Sequence, residues 1–166
     1  MKTPTIIQPA ISIKTNPKRR IIGHKAMVLL QSDETSMLWR GFKPKVKEIE
    51  GRKNDGFVSI SVYPPNFHPA LRLEKWAGVE VEAGYEIPQG MDEFIIPEGK
   101  YAVFSYKGTI ETFFKMYGYF MDTWLPKNGY GLDSRPHFEL LDDRYLGPLN
   151  PDSEEEVWIP IKSILV

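Results

Sequence analysis

The succession of strand-like and helix-like patterns constrains this chain more than any single residue does, because the same succession runs through it twice. In the first half an alternating arm, Ile11 to Lys14, leads into Arg20 to Val28, which reads as a strand. A helix follows. Ser32 or Asp33 can cap it, Glu34 suits its first turn, and Leu38, Phe42, Val46 and Ile49 recur at roughly helical spacing, with a kink expected at Pro44. Beyond a polar turn from Gly51 to Gly56, the run from Phe57 to Tyr63 alternates and stops at Pro64-Pro65, and Lys75 to Glu82 alternates again.

The second half repeats the order with different residues. A strand pattern from Phe94 to Tyr106 is broken by Pro97-Glu98-Gly99. A helix then runs from Thr109 to Pro126 with a wide apolar stripe of Ile110, Phe113, Phe114, Tyr117, Phe120, Met121 and Trp124. Asn128-Gly129 makes a turn, and Pro136 to Leu141 and Glu156 to Lys162 close the chain as strands around an acidic loop. This pattern predicts an α+β fold with a duplicated β-α-β-β repeat, about 11–83 and 90–166, within a single domain spanning 1–166. The expected arrangement is one antiparallel sheet with both long helices on one face and a ligand cleft on the other.

Composition narrows the classes of function. Lysine plus arginine (21) and aspartate plus glutamate (22) nearly cancel, which argues against direct nucleic-acid binding as the main task. The absence of cysteine removes disulfides, thiolate nucleophiles and cysteine-based metal sites, and fits a cytoplasmic protein. No stretch approaches the roughly 20 apolar residues of a membrane span, and the N-terminus has no signal-peptide pattern. His24, His68 and His137 are isolated from one another, and no glycine-rich phosphate loop or nucleophile elbow is present, so no metal or cofactor is expected. The run from Asp152 to Glu156 reads as a solvated loop.

Strand parity then proposes a site. Taking Val58, Ile60 and Val62, then Ala77, Val79 and Val81, then Phe138 and Leu140, then Val157, Ile159 and Ile161 as the core face turns Tyr63, Trp76, Glu80, Glu139 and Trp158 to the other face. Glu80 reads as salt-bridged or solvated. Phe104 joins the set as a further candidate of ambiguous parity. Aromatic rings attract a cation by about 0.5–2 kcal/mol each, and a carboxylate among them adds Coulombic attraction. Desolvation raises such an acid's pKa, which also suits general acid/base work.

Four ordered stretches carry a resemblance: Ile96 to Gly108, Trp124 to Tyr130, Phe138-Glu139, and Glu156 to Lys162, with Lys75 to Val81 matching the end of a first half. Together they resemble the gyrase-inhibitor-like small-molecule-binding family, which shares its domain with the effector modules of AraC-type and MerR-type multidrug-responsive regulators. The resemblance implies a pocket for hydrophobic, often cationic, compounds, with Glu139 at the position of the family's buried acid. Trp158 stands where the family usually has tyrosine. The resemblance also carries two alternatives. One is hydrolysis of electrophilic cyclopropane-type compounds by Glu139 with a tyrosine, for which Tyr63, Tyr101 and Tyr106 are candidates. The other is a protein partner, such as a topoisomerase. With about 20 residues before the first strand, a DNA-binding helix-turn-helix does not fit, so a stand-alone form is expected.

Overall fold

The computed structural model describes residues 10–164. Its strands are β1 (Ser12–Asn16), β2 (Arg19–Val28), β3 (Phe57–Val62), β4 (Leu73–Glu80), β5 (Asp92–Ile96), β6 (Gly99–Lys107), β7 (Tyr130–Leu132), β8 (His137–Leu141) and β9 (Glu154–Ser163). Helix α1 (Glu34–Phe42) lies between β2 and β3, and α2 (Ile110–Tyr119) between β6 and β7. The expected order of elements is present in both halves. β7 is an addition the turn at Asn128-Gly129 did not announce; it pairs with β9.

Both helices change pitch where the sequence forces them to. In α1 the Ser32 hydroxyl accepts from the Glu34 backbone N–H at 3.2 Å, while the Glu34 carboxylate accepts from Leu29 N–H at 3.0 Å. Asp33 occupies the N-cap without a side-chain cap bond. Pro44 lacks the donor that would continue the helix, and the chain tightens into a 3₁₀ segment, Lys43–Glu48. α2 widens into a π-helical segment, Phe120–Trp124, ahead of the short helix Leu125–Lys127 that contains Pro126. That wider turn stacks Trp124 between Phe120 (5.5 Å) and Tyr130 (6.1 Å).

The sheet order is β1-β6-β9-β8-β3-β4-β2-β5, and the two halves of the chain meet at β8–β3. β1 and β2 are separated only by Pro17 and Lys18, β5 and β6 only by Pro97 and Glu98, so their pairings form one interrupted ribbon. Asn16 bridges the interruption, donating to Pro97 O at 3.0 Å and accepting from Arg19 Nε at 2.7 Å. Because that ribbon contains strands from opposite ends of the sheet order, it draws the ends together and the sheet curls.

Register fixes the faces. Phe104, Val157, Glu139, Ser59, Ala77 and His24 lie opposite one another across six strands, and the adjacent row is Val103, Trp158, Phe138, Ile60, Trp76 and Lys25. Directly paired residues share a face, so the two rows lie on opposite faces. On the first, α1 and the 3₁₀ segment after it pack Phe42, Leu38, Trp39 and Val46 over Ile22, Ala77 and Val79, while α2 and the π-helical segment after it pack Met116 and Phe120 over Ala102, Phe104, Val157 and Ile159. The second face is a core of its own, with Ile60, Trp76, Tyr101, Phe138 and Trp158 all buried.

This register corrects the expected shared surface. Glu139 lies on the helix-bearing face, whereas Trp76, Glu80 and Trp158 lie on the other. Strand parity identifies a shared surface only where each strand has one apolar face. Here Val58 and Ile60 are buried on one side and Ala77 and Val79 on the other, so apolarity does not distinguish the faces.

Candidate functional site

Two regions of the molecule bring chemistry together, one on each face. On the face away from the helices a groove of about 610 Å³ opens beside Arg19, Val58, Glu80, Leu140, Arg144 and Glu156. Most of its charged side chains are already paired, with Asp55 and Asp143 at its rim. Arg19 pairs with Glu80 at 2.9 Å and lies over the Trp158 ring at 5.2 Å, Arg144 pairs with Asp142 at 2.8 Å, and Glu156 accepts the Trp158 indole N–H at 2.6 Å. Glu80 is therefore salt-bridged, as expected, with Lys53 also near it at 3.6 Å. Trp158 stacks on Phe138 at 5.2 Å and 16°, and Tyr101 donates its hydroxyl to Pro136 O at 2.9 Å. These aromatics are internal packing.

The other region is the strip of sheet between α1 and α2, where the central strands β3 and β8 present Ser59, Ser61, His137 and Glu139. None of these four belongs to the apolar cluster beneath either helix. Lys75 enters from β4, opposite Ser61, and Glu155 from β9, opposite Tyr106. Lys75 is only 9% exposed and donates from Nζ to the Ser61 hydroxyl at 2.7 Å. Lysines are seldom that buried.

The electrostatics of this strip set it apart. Burial, followed by the charge of Glu139, pushes the Glu155 carboxyl up to about 8, with Lys75 pulling the other way. Burial and then Lys75 push His137 down to about 4, so its imidazole is neutral near pH 7. Tyr63 is raised by burial, then by Tyr117 and Glu139, and its ring meets His137 at 4.8 Å. Tyr145 is pushed up to about 12 by burial and by Glu155 and Glu139, and Tyr106 likewise to about 12 by burial and Glu155. The result is a pair of mutually repelling carboxyl groups among buried and half-buried tyrosines.

Of the residues singled out from sequence, the structure brings Glu139 and Tyr63 into this strip. Phe104 shares its face but lies fully buried under α2, 6.1 Å from Phe120. Among the tyrosines considered as partners of Glu139, Tyr101 is on the far face, and Tyr106 donates to the carbonyls of Gly108 and Thr109. Sequence reasoning missed Lys75, Glu155 and Tyr145. Glu155 was read as part of a solvated loop, but Glu154–Ser163 is strand, and strand parity then carries Glu155 inward. A lysine on the same parity as Ala77 and Val79 was the available signal for Lys75. No cluster of three metal-ligating side chains occurs among the described residues.

A curled antiparallel sheet with a helix over each half and an acid at its centre defines an effector-binding type of fold, and the chain belongs to the GyrI-like small molecule binding domain family, matched over residues 9–162. It is 34% identical over 149 residues to the transcriptional regulator BrlR of Pseudomonas aeruginosa, covering 90% of this chain and 54% of that protein, so the chain spans about half the length of that curated relative. Among solved structures it is similar to the EcmrR C-terminal domain (TM-score 0.73, 14% identity, 95% of this chain and 100% of that one). It is also similar to SAV2435 bound to tetraphenylphosphonium (TM-score 0.65, 16% identity, 92% of this chain and 94% of that one). Those two likenesses are of fold. Among the described residues, no helix is long and apolar enough to cross a membrane.

Proposed function

We propose that this domain binds lipophilic cations in the strip between α1 and α2, with Glu139 and Glu155 as electrostatic anchors and Tyr63 and Tyr145 as aromatic walls. The observation that carries the reading is the unbalanced acidic pair. Burial and then the charge of Glu139 raise Glu155, and Lys75 offsets only part of that. A cation seated between them supplies further positive charge, and the tyrosine rings add cation–π attraction. The wide, delocalised charge of tetraphenylphosphonium, the ligand of SAV2435, has this chemistry. The whole protein's role is then sensing or sequestration of such compounds.

Titrating tetraphenylphosphonium into the wild type and Glu139→Gln tests the reading. Losing the charge of a half-buried anchor weakens binding by about tenfold or more. Equal affinities remove Glu139 from the account.

A second reading, hydrolysis of electrophilic compounds, is favoured by one observation: Glu155 retains a proton near pH 7 beside an acid. Mass spectrometry after incubation with activated cyclopropanes separates the two, because a binder returns the compound unchanged.

A further inference from the structure

We propose that Lys75 sets the charge class of the ligand, restricting the site to cations that carry a single positive charge. The inference rests on the reading of the strip between the helices as a cation site. Lys75, Ser61 and His137 form one transverse row on the helix-bearing face, next to the row of Ala77, Ser59 and Glu139. The ammonium thus belongs to the same central patch as the acid. Its hydrogen bond to Ser61 at 2.7 Å holds it there, and it makes no ion pair among the described residues. Lys75 therefore faces the acids without being consumed by either one. Its electrostatic effect is felt by Glu155 on β9 and His137 on β8.

The charge count follows from the groups on each strand. β8 supplies Glu139 and a neutral His137, β9 supplies Glu155, β3 supplies only hydroxyls, and β4 supplies Lys75. With both carboxylates ionised, two negative charges face one positive charge, leaving one negative charge for the ligand to balance. A second positive charge on the ligand has no counterion in the strip and is repelled by the buried ammonium. In surroundings of low effective dielectric, a fixed charge several ångströms away changes affinity by about tenfold or more. A neutral residue at position 75 leaves both carboxylates free, and the same strip then accommodates a dication.

The test compares methyl viologen, a dication, with its singly methylated analogue, a monocation on the same ring skeleton, by calorimetry at about pH 9, where Glu155 is ionised. The wild type prefers the monocation. Lys75→Met shifts the ratio of the two affinities toward the dication by about tenfold or more, and Lys75→Arg restores the wild-type ratio. Lys75→Gln, which keeps a donor for Ser61, serves the same purpose if the methionine variant does not fold. An unchanged ratio in a folded neutral variant, with both ligands still bound, overturns the role of Lys75 alone. Failure of the wild type to bind either viologen or tetraphenylphosphonium overturns the cation site itself, and the inference with it.

Discussion

On the proposed reading, cation binding at this site is expected to expel a proton from Glu155, and the amount follows from its electrostatics. With the carboxyl at about 8, about nine in ten unliganded molecules hold that proton near pH 7. A bound unit charge about 5 Å away, at an effective dielectric constant near 20, favours the carboxylate by about 3 kcal/mol and brings the carboxyl to about 6. Close to one proton, about 0.8, therefore leaves per cation bound near pH 7, and apparent affinity rises about tenfold between about pH 7 and pH 9. His137, at about 4, and the tyrosines Tyr106 and Tyr145, at about 12, do not titrate in that window. Calorimetric titration with tetraphenylphosphonium in two buffers of different ionisation enthalpy counts the proton directly. Glu155→Gln abolishes both the release and the pH dependence while retaining binding through Glu139. Absence of proton release in the wild type, or the same release in Glu155→Gln, refutes the reasoning.

The same carboxyl leaves a mark on stability without any ligand. Its folded value of about 8 lies above its ordinary 4.5, so as pH rises the unfolded chain ionises first, and stability falls through that window until it levels off above the folded value. The slope is at most about 1.4 kcal/mol per pH unit, and solvent screening of a half-buried group leaves a total on the order of 2–3 kcal/mol. His137 contributes the opposite slope, its stabilisation being lost as pH falls from 6.5 towards about 4. Urea unfolding of the wild type and Glu155→Gln across these pH values isolates the Glu155 slope, because the His137 contribution is common to both; parallel profiles would contradict it. Trp158→Phe removes the indole bond to Glu156 and part of the stack on Phe138, costing about 1–3 kcal/mol of stability. Its cation affinity stays within about twofold of wild type; a loss of tenfold or more would put the ligand on the far face.

The fold was legible because its periodicities are local. Alternation in Phe57 to Tyr63 and the apolar stripe from Ile110 to Trp124 specify a strand and a helix without reference to anything distant. That Glu139 lies on a strand was also legible, from the run Pro136 to Leu141. What the sequence left open was which faces coincide, because that depends on register between strands far apart in the chain. Ile60 meets Trp76 and Ser59 meets Ala77, and with both faces of the curled sheet buried, no hydrophobic pattern distinguishes this pairing from one shifted by a residue. Glu139 and Tyr63 were assigned to the wrong side for that reason, whereas Trp76 and Trp158 do face away from the helices. Glu155 was obscured by its neighbours: in an acidic run, only the start of β9 reveals which carboxylate turns inward.

The central claim is that the ligand sits on the helix-bearing face, over β3 and β8, against the Glu139–Glu155 pair. A crystal structure of the complex with tetraphenylphosphonium tests it most directly. The account predicts the phosphonium between α1 and α2, with its rings against Tyr63 and Tyr145 and its charge nearest the two carboxylates. A phosphonium lodged instead in the groove beside Arg19 and Glu80, or against Trp76 and Trp158, would contradict it.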